Sequence, residues 1–177
     1  KIQFKGKELI GMSEHAIVHA GVGRKFQTPS IYENLTVFEN LEMSFPRGRS
    51  VFGALFFKRT ADVVDRVKAI AAEIFLTDML DETADLLSHG QKQWLEIGML
   101  LMQDPELVML DEPVAGMSVS EREKTALLIR KICEGRSVLV IEHDMEFVKT
   151  IADKVTVLHQ GQILAEGKME DVQSNPK

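Results

Sequence analysis

A short apolar run that ends in two acidic residues constrains this chain more than any other stretch. Residues 107–113 have the sequence LVMLDEP. Consecutive apolar residues are typical of a strand buried in a parallel sheet, and ligands of α/β sheets bind where such strands end. Asp111 is placed to hold Mg²⁺ through water and Glu112 to polarise an attacking water, as phosphoryl transfer requires. The alternative is a strand that ends in an exposed acidic turn.

The pattern around this run predicts an α/β core with a helical insertion. In the second half, helices are predicted at 121–133 and 145–152, and strands at 137–141, 155–158 and 162–165. Strands that alternate with helices imply a parallel sheet with crossover helices. Between residues 36 and 90, apolar residues such as Val63, Val67, Ile70 and Ile74 recur at helical spacing. That block is predicted to be a helical subdomain inserted into the core.

Composition narrows the class of protein. The 177 residues are 45% hydrophobic, which is enough for one domain with a core. The formal net charge of -6 disfavours nucleic acid as a partner. Cys133 is the only cysteine, so an internal disulfide is excluded. No apolar run reaches the roughly 20 residues that span a bilayer, so a partner would have to supply any spanning helices.

A second motif, LSHGQ at residues 87–91, predicts the start of a helix. Ser88 is a suitable N-cap, followed by His89, Gly90 and Gln91. The free N–H groups and dipole of such a helix start favour an anion. An ordinary capped helix with a glycine at its turn is the alternative.

Two shorter polar motifs flank these elements. His143, in the sequence IEHD after a predicted strand, could donate a hydrogen bond to a phosphate oxygen, or it could be a surface histidine. Gln27, in the sequence FQTP, could sense a metal ion or water, or it could be a polar loop residue.

In this order and spacing, the motifs resemble those of the ABC transporter ATPase family over essentially the whole chain. The resemblance implies a P-loop NTPase core with a parallel sheet and an inserted helical subdomain. It identifies Gln27 as the Q-loop glutamine and residues 88–91 as the signature. Asp111 is then the Walker B aspartate, Glu112 the catalytic base and His143 the switch histidine.

The same resemblance implies ATP and Mg²⁺ as cofactors. Asp111 and Gln27 would hold Mg²⁺ through water, and Gly116 would belong with Asp111 to the nucleotide-binding residues. In this family two ATPase subunits bind head to tail, so that Ser88 and Gly90 would contact the γ-phosphate of ATP bound to the partner. ATP would close the dimer, and hydrolysis would reopen it.

A finer resemblance suggests what the transporter carries. The stretches RKFQTP at 24–29, LTVFENL at 35–41 and PVAGM at 113–117 resemble importer ATPases for branched-chain amino acids and urea. Residues 88–99 are most similar to the urea branch. The sequence therefore predicts an ATPase that powers a bacterial importer of urea or short amides. The alternatives are a branched-chain amino acid importer and a non-catalytic interaction module.

The chain also departs from the family pattern. No Gly-x-x-x-x-Gly-Lys-Ser/Thr motif occurs in it, and it begins at Lys1 within a predicted hairpin strand. We therefore expect an N-terminally truncated, partial domain that is inactive alone, because this loop normally cradles the phosphates. His89 replaces the usual first glycine of the signature, and Ser118 replaces the usual D-loop aspartate.

The predicted single partial domain has three parts and several partners. The parts are residues 1–35 with the Q-loop, 36–90 with the helical subdomain and signature, and 91–177 with the remaining core.

The partners implied are a second ATPase subunit, a transmembrane permease and, indirectly, an extracytoplasmic binding protein. The place implied is the cytoplasmic face of the bacterial plasma membrane. The apolar run at 51–57 would be subdomain core, or it would line a groove for a permease helix.

Overall fold

The computed structural model describes residues 1–25, 31–46 and 59–174, which form two compact units. The first unit spans Lys1–Ile141 and the second spans Glu142–Lys177. Gln27 and the apolar run at 51–57 lie outside the described residues.

The first unit contains five strands among the described residues, in a hairpin and a sheet. The hairpin pairs β1 (Gln3–Phe4) with β2 (Lys7–Glu8) in antiparallel fashion. The sheet has the order β3 (Val22–Lys25), β4 (Leu107–Asp111) and β5 (Ser137–Ile141), and both neighbouring pairs are parallel. The predicted parallel sheet is therefore confirmed, and the LVMLD strand is its central strand.

Helices connect the strands of this sheet and form the insertion. In chain order they are α1 (Glu14–His19), α2 (Val37–Met43), α3 (Ala61–Glu73), α4 (His89–Leu101) and α5 (Val119–Cys133). Short 3-10 turns at Thr77–Met79 and Ala84–Leu86 join α3 to α4. The sequence-based boundary between residues 90 and 91 falls in the first turn of α4.

The core of the helical insertion forms where α2, α3 and α4 meet. The predicted apolar stripe of α3 is buried, with Val67 and Ile74 fully inaccessible to solvent. Gly98 of α4 allows the close approach, because a Cβ there would lie 2.5 Å from Ile74 Cδ1 and 3.0 Å from Leu41 Cδ2. Since α4 also packs on β3, this helix joins the insertion to the sheet.

The second unit is smaller and has a β-hairpin flanked by two helices. Its elements are α6 (Met145–Ile151), β6 (Val155–His159), β7 (Gln162–Gly167) and α7 (Met169–Gln173). The strands β6 and β7 are antiparallel and turn at Gln160 and Gly161, which both have positive φ. This hairpin agrees with the strands and turn predicted from the sequence.

Candidate functional site

The acidic pair lies at the carboxyl end of the central strand, as the sequence predicted. Asp111 is the last residue of β4 and is paired with Ile141 of β5. The chain then turns sharply, because Glu112 has φ 46° and its N–H donates a 2.9 Å hydrogen bond to the carbonyl of Ile141. This left-handed conformation is uncommon for a residue with a side chain, and such conformations cluster at functional sites.

Arg24 is a neighbour of this pair that the sequence motifs did not indicate. It lies on β3 beside β4, and its Nη2 is 3.6 Å from Oδ2 of Asp111. About half of the Arg24 side chain is exposed, so its attraction for Asp111 is moderated by solvent. The guanidinium adds a positive charge at the point where a phosphate-bearing ligand would approach the sheet edge.

The predicted helix start at the second motif is present with a complete capping box. The hydroxyl of Ser88 accepts a 3.2 Å hydrogen bond from the N–H of Gln91, and the Ser88 N–H donates to Gln91 Oε1 at 2.8 Å. Thus Gln91 has a structural role as the reciprocal cap. The rest of the first turn of α4 presents backbone N–H groups, the arrangement that favours an anion.

The structure brings His89 and Gly116 of the predicted site together. His89 Nε2 lies 3.1 Å from the carbonyl oxygen of Ala115. Gly116 has φ 71°, and a Cβ at this position would lie 3.4 Å from the imidazole of His89. The histidine in place of the usual glycine therefore packs against the turn that follows the acidic pair. Within the first unit, this contact links the start of α4 to the segment after β4.

A single carboxylate, that of Glu121, joins the starts of α4 and α5. Its Oε2 accepts hydrogen bonds from the hydroxyl and the N–H of Ser118, and its Oε1 accepts one from the hydroxyl of Ser88. The hydrogen bonds from Ser118, followed by the one from Ser88, hold the pKa of Glu121 below its usual range. Ser118, which replaces the usual aspartate, is thus the N-cap of α5.

Sequence reasoning also missed a buried ion pair between the sheet and α4. Lys25 Nζ lies 3.3 Å from Glu96 Oε2, and the two side chains are only 1% and 9% exposed. A signal was present, because strand alternation places Lys25 on the face opposite Arg24, and Glu96 stands among the buried residues of α4. A charge on a buried face requires a partner, since an unpaired buried charge is very costly.

His143 lies at the beginning of the second unit, directly before α6. Its N–H donates a 3.0 Å hydrogen bond to Glu142 Oε2, and its Nδ1 is 3.8 Å from the same oxygen. Asp144 caps α6 by accepting from the N–H of Phe147 at 3.0 Å. The imidazole itself is 78% exposed, so its ring is accessible to a ligand.

Carboxylates and one helix start are groups in the described residues that could bind Mg²⁺ and ATP. Within 1–25, 31–46 and 59–174, no three His, Cys, Asp or Glu side chains form a cluster that could hold a metal ion. Mg²⁺ on a nucleotide needs only one or two carboxylates, with phosphates and waters completing its shell. The carboxylate of Asp111 fits that requirement, and the start of α4 fits an anionic phosphate.

The chain was then compared with known proteins. The family model described as ABC transporter matches residues 1–115. A branched-chain amino acid transport ATP-binding protein of Pseudomonas aeruginosa, BraF, is 34% identical and aligns with 99% of this chain and 72% of its own length. A probable branched-chain amino acid transport ATP-binding protein of Archaeoglobus fulgidus, LivG, is 33% identical and aligns with 100% of this chain and 71% of its own length.

Solved structures agree with this assignment. The ADP conformation of MJ1267, an ATP-binding cassette of an ABC transporter, has a TM-score of 0.80 and 31% identity over 98% of this chain and 72% of that one. A nucleotide-free ATP-binding cassette of an ABC transporter has a TM-score of 0.77 and 30% identity over 98% of this chain and 72% of that one. The fold is thus that of an ABC ATPase, and the chain belongs to the ABC transporter family of ATP-binding proteins.

In the part of the chain that the structure describes, no helix has the length and apolar character required to cross a membrane.

Proposed function

We propose that this chain is a nucleotide-binding subunit that powers import of branched-chain amino acids. The observation that carries the proposal is Asp111 and Glu112 at the end of the central strand, in a chain whose relatives at 34% and 33% identity are named for that transport. The transported solute need not touch this subunit, so the similarity to those relatives supports the substrate more than any local contact does.

Urea, the substrate first suggested by residues 88–99, is the weaker candidate. Its support is a resemblance confined to the signature helix, where His89 packs against the turn at Gly116. That contact lies within one subunit, between two exposed residues, and so carries no information about the solute. The relatives compared over nearly the whole chain are named for branched-chain amino acids.

In the proposed mechanism, Asp111 and Glu112 at the carboxyl end of β4 act on ATP that is bound to the same subunit. When bound, Mg²⁺ supplies charge neutralisation at the phosphates. Asp111, together with Gln27, would hold this ion through water, and Glu112 would orient the attacking water and accept its proton. His143 donates a hydrogen bond to a phosphate oxygen through its exposed ring.

In a pair of ATPase subunits, the proposed role of the signature is to act on the ATP that the partner subunit binds. The capped start of α4 comprises Ser88, His89, Gly90 and Gln91. It offers N–H groups and a hydroxyl to the γ-phosphate of ATP held by a partner ATPase subunit. Gly116 keeps the turn after β4 close to His89 and so fixes this surface. Binding of the γ-phosphate would close the pair, and its loss would open it.

The 177 residues contain no Gly-x-x-x-x-Gly-Lys-Ser/Thr motif, so we propose that a polypeptide of this sequence alone does not hydrolyse ATP. Its signature would still serve a partner that carries such a loop. A second candidate function is that of a non-catalytic ABC-like module. The two differ in whether the chain changes the turnover of its partner.

The proposed partners are a permease, which supplies the membrane-spanning helices, and an extracytoplasmic protein that delivers the solute to it. The subunit would then lie on the cytoplasmic face of the plasma membrane. The helical insertion, joined to the sheet through α4, is the part suited to pass closure of the ATPase pair to the permease.

Uptake of labelled solute tests the proposal. Cells that lack this subunit are expected to lose high-affinity leucine uptake, and the wild-type gene is expected to restore it, with urea uptake unchanged. Each solute serves as the control for the other. Loss of urea uptake with normal leucine uptake would contradict the proposed substrate while leaving the ATPase role in place.

A further inference from the structure

The carboxylate of Glu121 is hydrogen-bonded to the signature serine, Ser88, of the same chain. The hydroxyl of Ser88 donates a 2.9 Å hydrogen bond to Glu121 Oε1. The other carboxylate oxygen completes the capping box of α5 with Ser118, at 2.7 Å from its hydroxyl and 2.9 Å from its N–H. One anionic group therefore bridges the starts of α4 and α5, although Ser88 and Glu121 are 33 residues apart in sequence.

Glycine at position 90 lets this carboxylate lie directly against the first turn of α4. A Cβ on Gly90 would lie 2.3 Å from Oε1 and 2.5 Å from Cδ of Glu121. The carboxylate thus lies beside the positive end of the α4 dipole, a location that stabilises a negative charge. A phosphate oxygen that bound the same turn would meet this carboxylate.

The backbone of Glu121 is anchored, whereas its side chain is reachable from solvent. Thr125 donates a 2.8 Å hydrogen bond to the carbonyl of Glu121 and accepts one of 2.8 Å from Nε1 of Trp94 on α4. Thr125 and Trp94 are buried, so they fix the first turn of α5 against α4. The carboxylate can therefore change rotamer without movement of either helix.

We propose that Glu121 is an internal anion that holds the signature serine until the γ-phosphate of the partner's ATP displaces it. This inference rests on the proposed function, in which Ser88 binds that phosphate. A serine hydroxyl has one proton to donate, so Ser88 cannot donate to Glu121 and to a phosphate at once. Carboxylate and phosphate are both anions, and they compete for one serine and one helix start. Glu121 is accordingly a positioning residue that sets the ATP concentration at which the pair closes.

The variant Glu121→Gln tests the competition. The amide keeps the size of the side chain and its acceptor oxygen, and glutamine is common at this position of a capping box. Removal of the negative charge is expected to lower the half-saturating ATP concentration roughly 5- to 10-fold, as for loss of one nearby charge at a partly solvated site. The maximal rate is expected to change by less than about twofold, because the reacting groups are untouched.

The measurement is the ATP dependence of hydrolysis by the assembled transporter ATPase, in which the partner subunit supplies the phosphate-binding loop. Glu123→Gln is the matched control, since Glu123 is exposed on the same helix. It removes the same charge from α5 at a position away from Ser88, and no shift in half-saturating ATP is expected. An unchanged or higher half-saturating concentration for Glu121→Gln would overturn the inference.

Two further measurements separate this inference from the proposed function. The pKa of the Glu121 carboxyl, followed by NMR, is expected to rise in Ser88→Ala, and an unchanged value would overturn the contact itself. If Ser88→Ala leaves hydrolysis by the assembly unchanged, the role of the signature fails and the inference fails with it. Should Glu121→Gln not fold, Glu121→Asp replaces it, because the shorter side chain still caps α5 but withdraws from Ser88.

Discussion

Replacement of Glu112 by glutamine is expected to slow ATP hydrolysis by about 10²-fold or more while ATP still binds. Glu112 follows the central strand of the sheet in a left-handed turn, and its backbone N–H donates a 2.9 Å hydrogen bond to the carbonyl of Ile141. An amide in this position can orient water but cannot accept its proton. We expect ATP binding to persist because the amide keeps the size of the side chain and the backbone hydrogen bond to Ile141.

The measurement is single-turnover hydrolysis in an assembly whose subunits include the phosphate-binding loop, with ATP binding followed separately. Glu123→Gln again provides a matched loss of one carboxylate outside the site. Hydrolysis by Glu112→Gln within about twofold of wild type would remove Glu112 as the base. Loss of ATP binding instead would assign it to the binding of nucleotide.

Replacement of Lys25 by methionine is expected to destabilise the first unit by about 3–5 kcal/mol. The substitution keeps the length of the side chain but leaves the carboxylate of Glu96, which is 9% exposed, without the ammonium group 3.3 Å away. Breaking a buried pair is costly because one charge remains in a poorly solvated site. The double variant Lys25→Met with Glu96→Leu should regain most of the stability.

Urea-induced unfolding, with the free energy of unfolding extrapolated to water, measures this effect. Lys92→Met is the control, because Lys92 pairs with Glu33 at 2.9 Å where solvent reaches both side chains. Its cost should not exceed about 1 kcal/mol. A cost for Lys25→Met as small as that of the control would contradict the importance of the buried pair.

The sequence was sufficient for the type and approximate place of the elements, although β7 (Gln162–Gly167) extends two residues beyond its predicted end and α5 (Val119–Cys133) begins two residues before its predicted start. The apolar run at 107–110 is the central strand, and the predicted strand at 137–141 has the predicted bounds. Ser88 is the predicted N-cap of α4. These features are local, since strand and helix periods and capping residues act within a few positions of the chain.

The contacts that connect the elements were not predictable in the same way. Ser88 and Glu121 are 33 residues apart, and Ser118 with Glu121 by themselves form an ordinary capping box. Lys25 and Glu96 come together only because α4 packs on β3. A sequence pattern shows which face of an element a residue occupies, but the partner on that face depends on how the elements pack.

The structure shows contacts for some of the predicted site residues and leaves others as predictions. The first unit brings His89 to Gly116 and Ser88 to Glu121, so the signature and the segment after the acidic pair form one surface. His143 begins the second unit, and its proposed contact with phosphate stays a prediction. Gln27 lies outside the described residues, and its proposed role beside Asp111 stays a prediction as well.

We propose above that the capped start of α4 acts on ATP held by a partner subunit. The direct test measures hydrolysis of that ATP when this chain carries Ser88→Arg, with nucleotide binding to each subunit followed separately. Hydrolysis is expected to fall by roughly 10²-fold while the ATP remains bound to the partner, because a bulky side chain displaces the helix start from the phosphate. Hydrolysis at the wild-type rate, with the variant correctly folded and assembled, would show that the start of α4 does not act on the partner's ATP.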